Sequence, residues 1–409
     1  MSVAGFVRPG TGAISREAAP RPRPNSGGEA AWEAGRVPEL VTIAEQLLAP
    51  VPGGTGRYTR ELLRAMAETA PSGWELSSVI SRGGDPEAAR VPGVLGPRVL
   101  PLPRRALIAA WERGIPFWPG GDSVHAMTPL APPAKRGRGL VVTVHDTVPW
   151  THPETLTPRG VSWHRRAIAR AARHADALVV PTAVVAADLA KRVPVNARLE
   201  VIGEGVTPSL LAEPDPAIAA RLALPERYVL AIGTIEPRKG YEHLVRAMAE
   251  SAAPDVPLLI VGRRGWGDVE VLRIAADCGA EHVRVLESVS DAELAALLRN
   301  ATALAAPSLA EGFGLPLVEA MALGVPIVHS DAPALVEVAG GAGVTVPRAE
   351  PAALAAALRA VVDDPEHRAG LIAAGSRRVA DFTWSQAARQ VWRQHLDIVT
   401  RPGHPGGAG

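Results

Sequence analysis

The sequence predicts two doubly wound α/β domains in series, on three observations. From about residue 37 onward, short strand-like runs alternate with helix-like stretches. Runs such as 140–144 and 177–180 are apolar without alternation, as parallel strands covered on both faces are. And 409 residues, 47% of them hydrophobic, are enough chain for two full-sized cores.

The first 35 residues are rich in Pro, Gly, Arg and Ser and carry no apolar signal-peptide stretch. They bury too little to offset the entropy of ordering and read as a disordered tail, as do residues 401–409. A strand is predicted over 41–44, followed by the Gly-rich loop Pro52-Gly53-Gly54-Thr55-Gly56. Over 57–67, Tyr58, Leu62, Leu63 and Met66 fall on one helical face. Apolar strands follow over 140–144 and 177–180. A second series runs over 228–232, 258–261, 283–286, 303–306 and 325–328, with helices over 241–249 and 291–298 among them. Between the two series, Gly203-Glu-Gly-Val-Thr-Pro-Ser209 reads as a linker. The domains are therefore placed at 36–204 and 205–380, with a terminal helix over 381–400. No repeat at a solenoid period interrupts this pattern.

Charge and composition narrow the function. One cysteine, Cys278, excludes a disulfide framework and a multi-cysteine metal site. A net charge of +1 argues against nucleic acid as the partner of the whole molecule. Residues 1–202 carry 25 Lys and Arg against 17 Asp and Glu, and the remainder 18 against 25, so the two halves suit different partners. No apolar run reaches the ~18 residues of a membrane span, and a cytoplasmic protein is expected. Only three of the 43 basic residues are lysines, Lys239 among them.

Open α/β sheets bind ligands at the carboxyl ends of their strands, and four segments stand there. Gly53-Gly54-Thr55-Gly56-Arg57 opens a helix and exposes amides to an anion, though a tight turn explains it equally. His145-Asp146 follows a strand directly, placing an imidazole where it can donate or relay a proton, or serve structure alone. Gly233-Thr234-Ile-Glu-Pro-Arg238-Lys239-Gly240 sets two cations before a helix, where a leaving diphosphate needs them; its bland reading is a solvated basic loop. The most specific is Glu311-Gly312-Phe313-Gly314-Leu315-Pro-Leu-Val-Glu319. Its glycine turn opens a helix, with Glu311 in the loop and Glu319 two turns along. The amides of 312–315 suit phosphate or sugar oxygens and the carboxylates suit hydroxyls; two exposed structural glutamates are the alternative. Asp-x-Asp and HExxH spacings are absent, so no metal cofactor is expected.

At these motifs the sequence resembles retaining glycosyltransferases of family 4, which have the GT-B fold: two Rossmann-like domains facing a cleft, with a C-terminal helix crossing back. The resemblance runs from about Val41 to Leu396, and Phe382-Thr-Trp384-Ser-Gln resembles the start of that helix. The third motif is similar to that of the mannosyltransferase-rich subgroup. The resemblance implies that Lys239 binds the donor diphosphate with Arg238 as helper, that Glu311 holds the sugar hydroxyls and Glu319 the ribose. It implies that His145 contacts the sugar near the reacting carbon and that Gly54, Thr234, Gly312, Phe313, Gly314 and Leu315 line the donor site. Thr234 stands where many members carry arginine, so either Arg238 substitutes or phosphate is held more weakly. Ser288-Val-Ser-Asp291 falls where the base is usually held.

The implied reaction moves a hexose, mannose from GDP-mannose, to a glycan, lipid-linked or small-molecule acceptor by front-face displacement without a metal. A UDP-sugar donor, a sugar-nucleotide epimerase and a non-catalytic nucleotide-sugar-binding subunit are the alternatives. Arg98, Arg104, Arg105 and Arg113 interleave with Leu102, Leu107, Ile108, Trp111, Phe117 and Trp118. That mixture suits peripheral contact with the inner membrane face or a lipid-linked acceptor, and equally a solvated helix covering the sheet.

Overall fold

The computed structural model describes residues 37–49, 53–213 and 215–401. The tails over 1–35 and 402–409, and Pro52 of the first loop, lie outside them. Among the described residues thirteen strands form two all-parallel sheets. The N-terminal strands are β1 Glu39–Ile43, β2 Glu75–Arg82, β3 Leu95–Pro103, β4 Ser123–Ala126, β5 Gly139–Thr143, β6 Ala177–Val180 and β7 Arg198–Val201. Their order is β3-β2-β1-β4-β5-β6-β7. The C-terminal strands are β8 Val229–Ile232, β9 Leu258–Val261, β10 Val283–Leu286, β11 Ala303–Ala306, β12 Ile327–Ser330 and β13 Gly343–Val346, in the order β10-β9-β8-β11-β12-β13. Strand order reverses between β1 and β4 and again between β8 and β11. Those reversals open the crevices in which doubly wound sheets bind ligands.

The eight predicted strands are present within a residue or two. Five others lack a continuous apolar run. β2 reads Glu-Leu-Ser-Ser-Val-Ile-Ser-Arg, yet Ser77, Ser78 and Ser81 are buried. Its polar atoms find partners: Thr42 Oγ1 donates to the Ser77 carbonyl, Ser77 Oγ to Glu39, and Ser81 meets buried Glu45. β4 interleaves Ser123 and His125 with apolar residues, and β3, β7 and β13 are sheet edges, where exposed polar residues are tolerated. A satisfied buried polar group removes the hydrophobic signal without removing the strand.

The first helix, Gly53–Glu68, starts four residues earlier than periodicity implies. The glycines are its first turn rather than a loop before it, and Gly53 has φ +57°. Tyr58, Leu62, Leu63 and Met66 face the core as predicted.

The terminal helix Trp384–Val399 starts at Thr383, whose side chain accepts from the Gln386 amide, a cap contributing ~1 kcal/mol. It then lies on the N-terminal domain. Trp392 Nε1 donates to the Met66 carbonyl at 2.9 Å, and His395 bonds to Ser123 at 2.6 Å and to His125 at 3.2 Å. From His125 a buried polar line continues through Thr143 Oγ1 (2.9 Å) to Tyr58 Oη (3.2 Å).

The Arg-rich segment after β3 forms the helix Arg104–Glu112. Leu107 and Trp111 are fully buried in the N-terminal core, and Trp111 Nε1 donates to the Phe117 carbonyl. These apolar residues pack on the sheet, as in the covering-helix reading. Among the described residues no helix is long and apolar enough to cross a membrane.

Candidate active site

The predicted residues converge. Gly54, His145, Thr234, Arg238, Lys239, Glu311, Gly312, Phe313, Gly314, Leu315 and Glu319 all line one cavity of about 700 Å³ at the carboxyl ends of both sheets.

Its C-terminal wall begins where β8 ends. Gly233 takes φ +146°, Pro237–Lys239 form one 3-10 turn, and Gly240 (φ +68°) caps the helix Tyr241–Met248. A Cβ on Gly240 would strike the Pro307 carbonyl, so glycine lets the third motif seat on the loop after β11. Across that seam Lys239 Nζ donates to Glu311 Oε1 at 2.6 Å and Arg238 Nη1 to Glu311 Oε2 at 2.8 Å, with Ser308 Oγ at 2.7 Å from Oε1. Burial pushes the Glu311 carboxyl up, but Lys239 and Arg238 outweigh it and hold it at about 2. Arg238 also binds Glu236 at 2.5 Å and the Ala310 carbonyl, so its guanidinium is already occupied and is poorly placed to replace an arginine at position 234. Thr234 itself packs against Gly265, which has no room for a Cβ.

Glu319 is the fifth residue of the helix Leu315–Ala322, just over one turn along, not two. Its carboxylate is fully buried. Oε1 accepts from Arg57 Nη1 at 2.6 Å and Thr207 Oγ1 at 3.2 Å, while Oε2 has no partner among the described residues. Burial raises its pKa, more than Arg57 lowers it. Arg57 comes from the other domain and also lies 3.8 Å from Asp291. Phe313 and Leu315 are core residues; the Phe313 ring packs edge-on against Phe382 at 5.5 Å, so the backbone is what Phe313 offers the cavity.

The N-terminal wall is built around His145. Its Nε2 meets the Met127 carbonyl at 2.9 Å, and its ring stands edge-on to Tyr58 at 4.6 Å. Burial lowers its pKa, so the imidazole is neutral. Asp146 caps the next turn through the Val148 amide. A Cβ on Gly312 would overlap the His145 carbonyl, and Thr182 Oγ1 donates to the Gly312 carbonyl at 3.1 Å. Gly312 is thus the point at which the walls meet.

Glu204 and Thr207 line the cavity outside the four motifs, as do Arg60, Arg263 and Glu287, and Asp291 enters as a partner of Arg57. Glu204 is 5% exposed, 3.9 Å from His145 Nδ1, and pushed up to about 8 by burial and by Glu319 and Glu311. A charged residue between two glycines of a linker is its one sequence signal. Among the described residues no group of three or more His, Cys, Asp or Glu is arranged to hold a metal ion.

A second cavity of about 570 Å³ opens beside His145 and Asp146 toward the N-terminal domain. Leu130, Leu156 and Trp163 are among its walls, and Arg104 and Arg159 bring charge to it.

Two facing doubly wound domains, a glycine-gated cleft between them and a helix crossing back define a GT-B glycosyltransferase. Residues 52–210 match glycosyltransferase family 4, and residues 217–378 match the glycosyl transferases group 1 family. The phosphatidyl-myo-inositol mannosyltransferase of Mycobacterium tuberculosis is 32% identical over 382 residues, covering 85% of this chain and 94% of that protein. Its namesake in Mycobacterium leprae is 37% identical over 248 residues, covering 58% of this chain; there the match spans 61% of the relative. Sucrose-phosphate synthase from Thermosynechococcus elongatus superposes with a TM-score of 0.72 at 23% identity, over 89% of this chain and 99% of that one. The chain belongs to glycosyltransferase family 4.

Proposed function

We propose that this protein transfers mannose from GDP-mannose, with retention of configuration, to a lipid-linked or glycan acceptor. The observation that carries the reading is the Lys239–Glu311 pair on the cavity wall. Lys239 is the cation that meets the donor diphosphate. As the phosphate takes up the ammonium group, Glu311 is released toward the sugar hydroxyls. The unpartnered Oε2 of Glu319 is a ready acceptor for a ribose hydroxyl. Mannose is supported by the relatives' names and by the third motif.

In a front-face displacement the bond between the anomeric carbon and the diphosphate oxygen breaks. The acceptor oxygen bonds to the same face, and its proton passes to the leaving diphosphate. Lys239 stabilises the charge that grows there, work otherwise done by a metal ion. The second cavity, with Leu130, Leu156 and Trp163 on its walls and Arg104 and Arg159 beside them, suits an acceptor that has both an apolar and an anionic part.

A thermal-shift panel of nucleotide sugars tests the donor, because a ligand raises apparent stability by RT ln(1+[L]/Kd). GDP-mannose is expected to give the largest rise; a larger rise with UDP-glucose overturns the assignment of the base. Transfer should persist in excess EDTA, and an activity lost there and restored by Mg²⁺ or Mn²⁺ overturns the phosphate role of Lys239. The anomeric configuration of the product, read by NMR, decides retention.

A further inference from the structure

We propose that Glu204 is a positioning residue for His145: its carboxyl group supplies the proton that faces Nδ1 and favours one orientation of that imidazole, whose tautomer the Met127 carbonyl sets. The inference deepens the glycosyltransferase reading and rests on it for its kinetic consequences only.

The tautomer follows from hydrogen-bond chemistry. The Met127 carbonyl can only accept, so His145 Nε2 must carry the proton of their 2.9 Å bond. His145 is neutral, so Nδ1 bears a lone pair. The group facing that lone pair is Glu204, with Oε1 at 3.9 Å. No hydrogen bond reaches the Glu204 carboxyl from any described residue, although it is 5% exposed. An ionised carboxylate so placed would be a buried, unpaired charge pointing at a lone pair, which is costly. A carboxylic acid is a donor pointing at an acceptor.

The surroundings favour the acid form. From the Leu315 helix Glu319 faces it and from the loop after β11 Glu311, both raising its pKa, while their cations Arg57 and Lys239 are paired with those same carboxylates. From the Gly53 helix it faces Tyr58, whose own pKa burial raises so that it stays neutral. Asp146 lies beyond His145 and acts on that ring, not on Glu204. Glu204 also sits in the segment joining the domains, and Gly205 beside it is pressed against the Trp384 amide, where a Cβ has no room. The linker backbone beside Glu204 is therefore packed closely against the start of the crossing helix. Bonded at Nε2 to Met127, packed edge-on against Tyr58 and faced at Nδ1 by Glu204 3.9 Å away, the His145 ring is set in one orientation toward the cleft.

Two variants separate the carboxyl's proton from its charge. Glu204→Gln keeps an N–H donor, and Glu204→Leu removes it. Loss of a partner that orients an active-site imidazole costs about tenfold or more, by analogy with residues that orient metal-ligating histidines. At pH 7, E204Q is expected to retain kcat within about threefold and E204L to lose about tenfold at unchanged donor KM. Wild-type kcat should fall as pH rises through about 8, the carboxyl's own range, and E204Q should lack that limb. Inactive E204Q, or an alkaline limb identical in both proteins, overturns the proposal. Nitrogen-15 NMR of the histidines in the ligand-free protein gives a readout without substrate. The His145 resonances should inflect near pH 8 in the wild type and not in E204Q. A wild-type spectrum without that inflection overturns the proposal whatever the enzyme transfers. Should no hexose transfer be found with any variant, the functional reading fails and the NMR titration still decides the role of Glu204.

Discussion

On the C-terminal wall of the cleft, Lys239 and Arg238 lie 2.6 and 2.8 Å from Glu311 and keep its carboxylate ionised. Across it, His145, Tyr58 and His125 stay neutral because they are buried; His125 is pushed down to about 3 by burial and the nearby His145. The difference matches what each wall meets. A nucleoside diphosphate brings charge, and an ionic wall can exchange one carboxylate for another at little cost in desolvation. An acceptor hydroxyl and the reacting carbon bring none until the bond breaks, and a neutral wall adds no field that would favour the ground state. Among the described residues, Arg57–Glu319 joins the two walls by a short ion pair, at 2.6 Å.

The largest expected effect falls on the ionic wall. Lys239→Ala removes the cation proposed to meet the leaving group and should lower kcat by ~10²-fold or more. Glu311 would keep Arg238 and Ser308, so the fold should survive. Steady-state kinetics beside a melting curve check this. Near-wild-type turnover would make the ionic wall mere scaffold and end the comparison.

Next comes the joint between the walls. Arg57→Ala leaves Glu319 buried with Thr207 as its one remaining partner and should cost about 3 kcal/mol of stability. Because Arg57 reaches the cavity from the N-terminal domain, donor KM should rise as well. In the double variant Arg57→Ala/Glu319→Gln much of the lost stability should return, since the unpaired charge is gone. Additive losses in chemical denaturation would show that the pair does not couple the domains.

Much of this site was legible because its motifs are local: Lys239 and Glu311 each sit in a short segment where glycines fix the turn. The pairing itself was not legible, since 72 residues separate them and only the sheet topology brings β8 and β11 side by side. Glu204 escaped for the same reason, compounded by its neighbours. A linker glutamate reads as solvated until Trp384, from the far end of the chain, closes over Gly205. In the fold, strands that bury serine or histidine, β2 and β4, were invisible to a reading based on apolar runs, whereas dry strands such as β9 were plain.

The smallest effect is a pair of opposite slopes in stability against pH. Glu311 is held at about 2, below its ordinary 4.5, so the unfolded chain binds more protons between those values. Its contribution is complete above 4.5 and lost as pH falls toward 2. Glu204 is raised from 4.5 to about 8, so the folded protein binds more protons across that interval. Its contribution is complete below 4.5 and fades as pH rises through 8. The wild type should therefore lose stability in acid through one carboxyl and in mild alkali through the other. Glu204→Gln should flatten the alkaline slope and leave the acid one, whereas Glu311→Gln should flatten the acid slope, lessen the alkaline one because the Glu311 charge helps raise Glu204, and lower stability at neutral pH because Lys239 and Arg238 lose their shared anion. Denaturant midpoints from pH 3 to 9 for the three proteins check this. Equal slopes for Glu204→Gln and the wild type above neutrality would mean that the linker carboxyl is ionised, and the two walls would then differ in their partners and not in their charge.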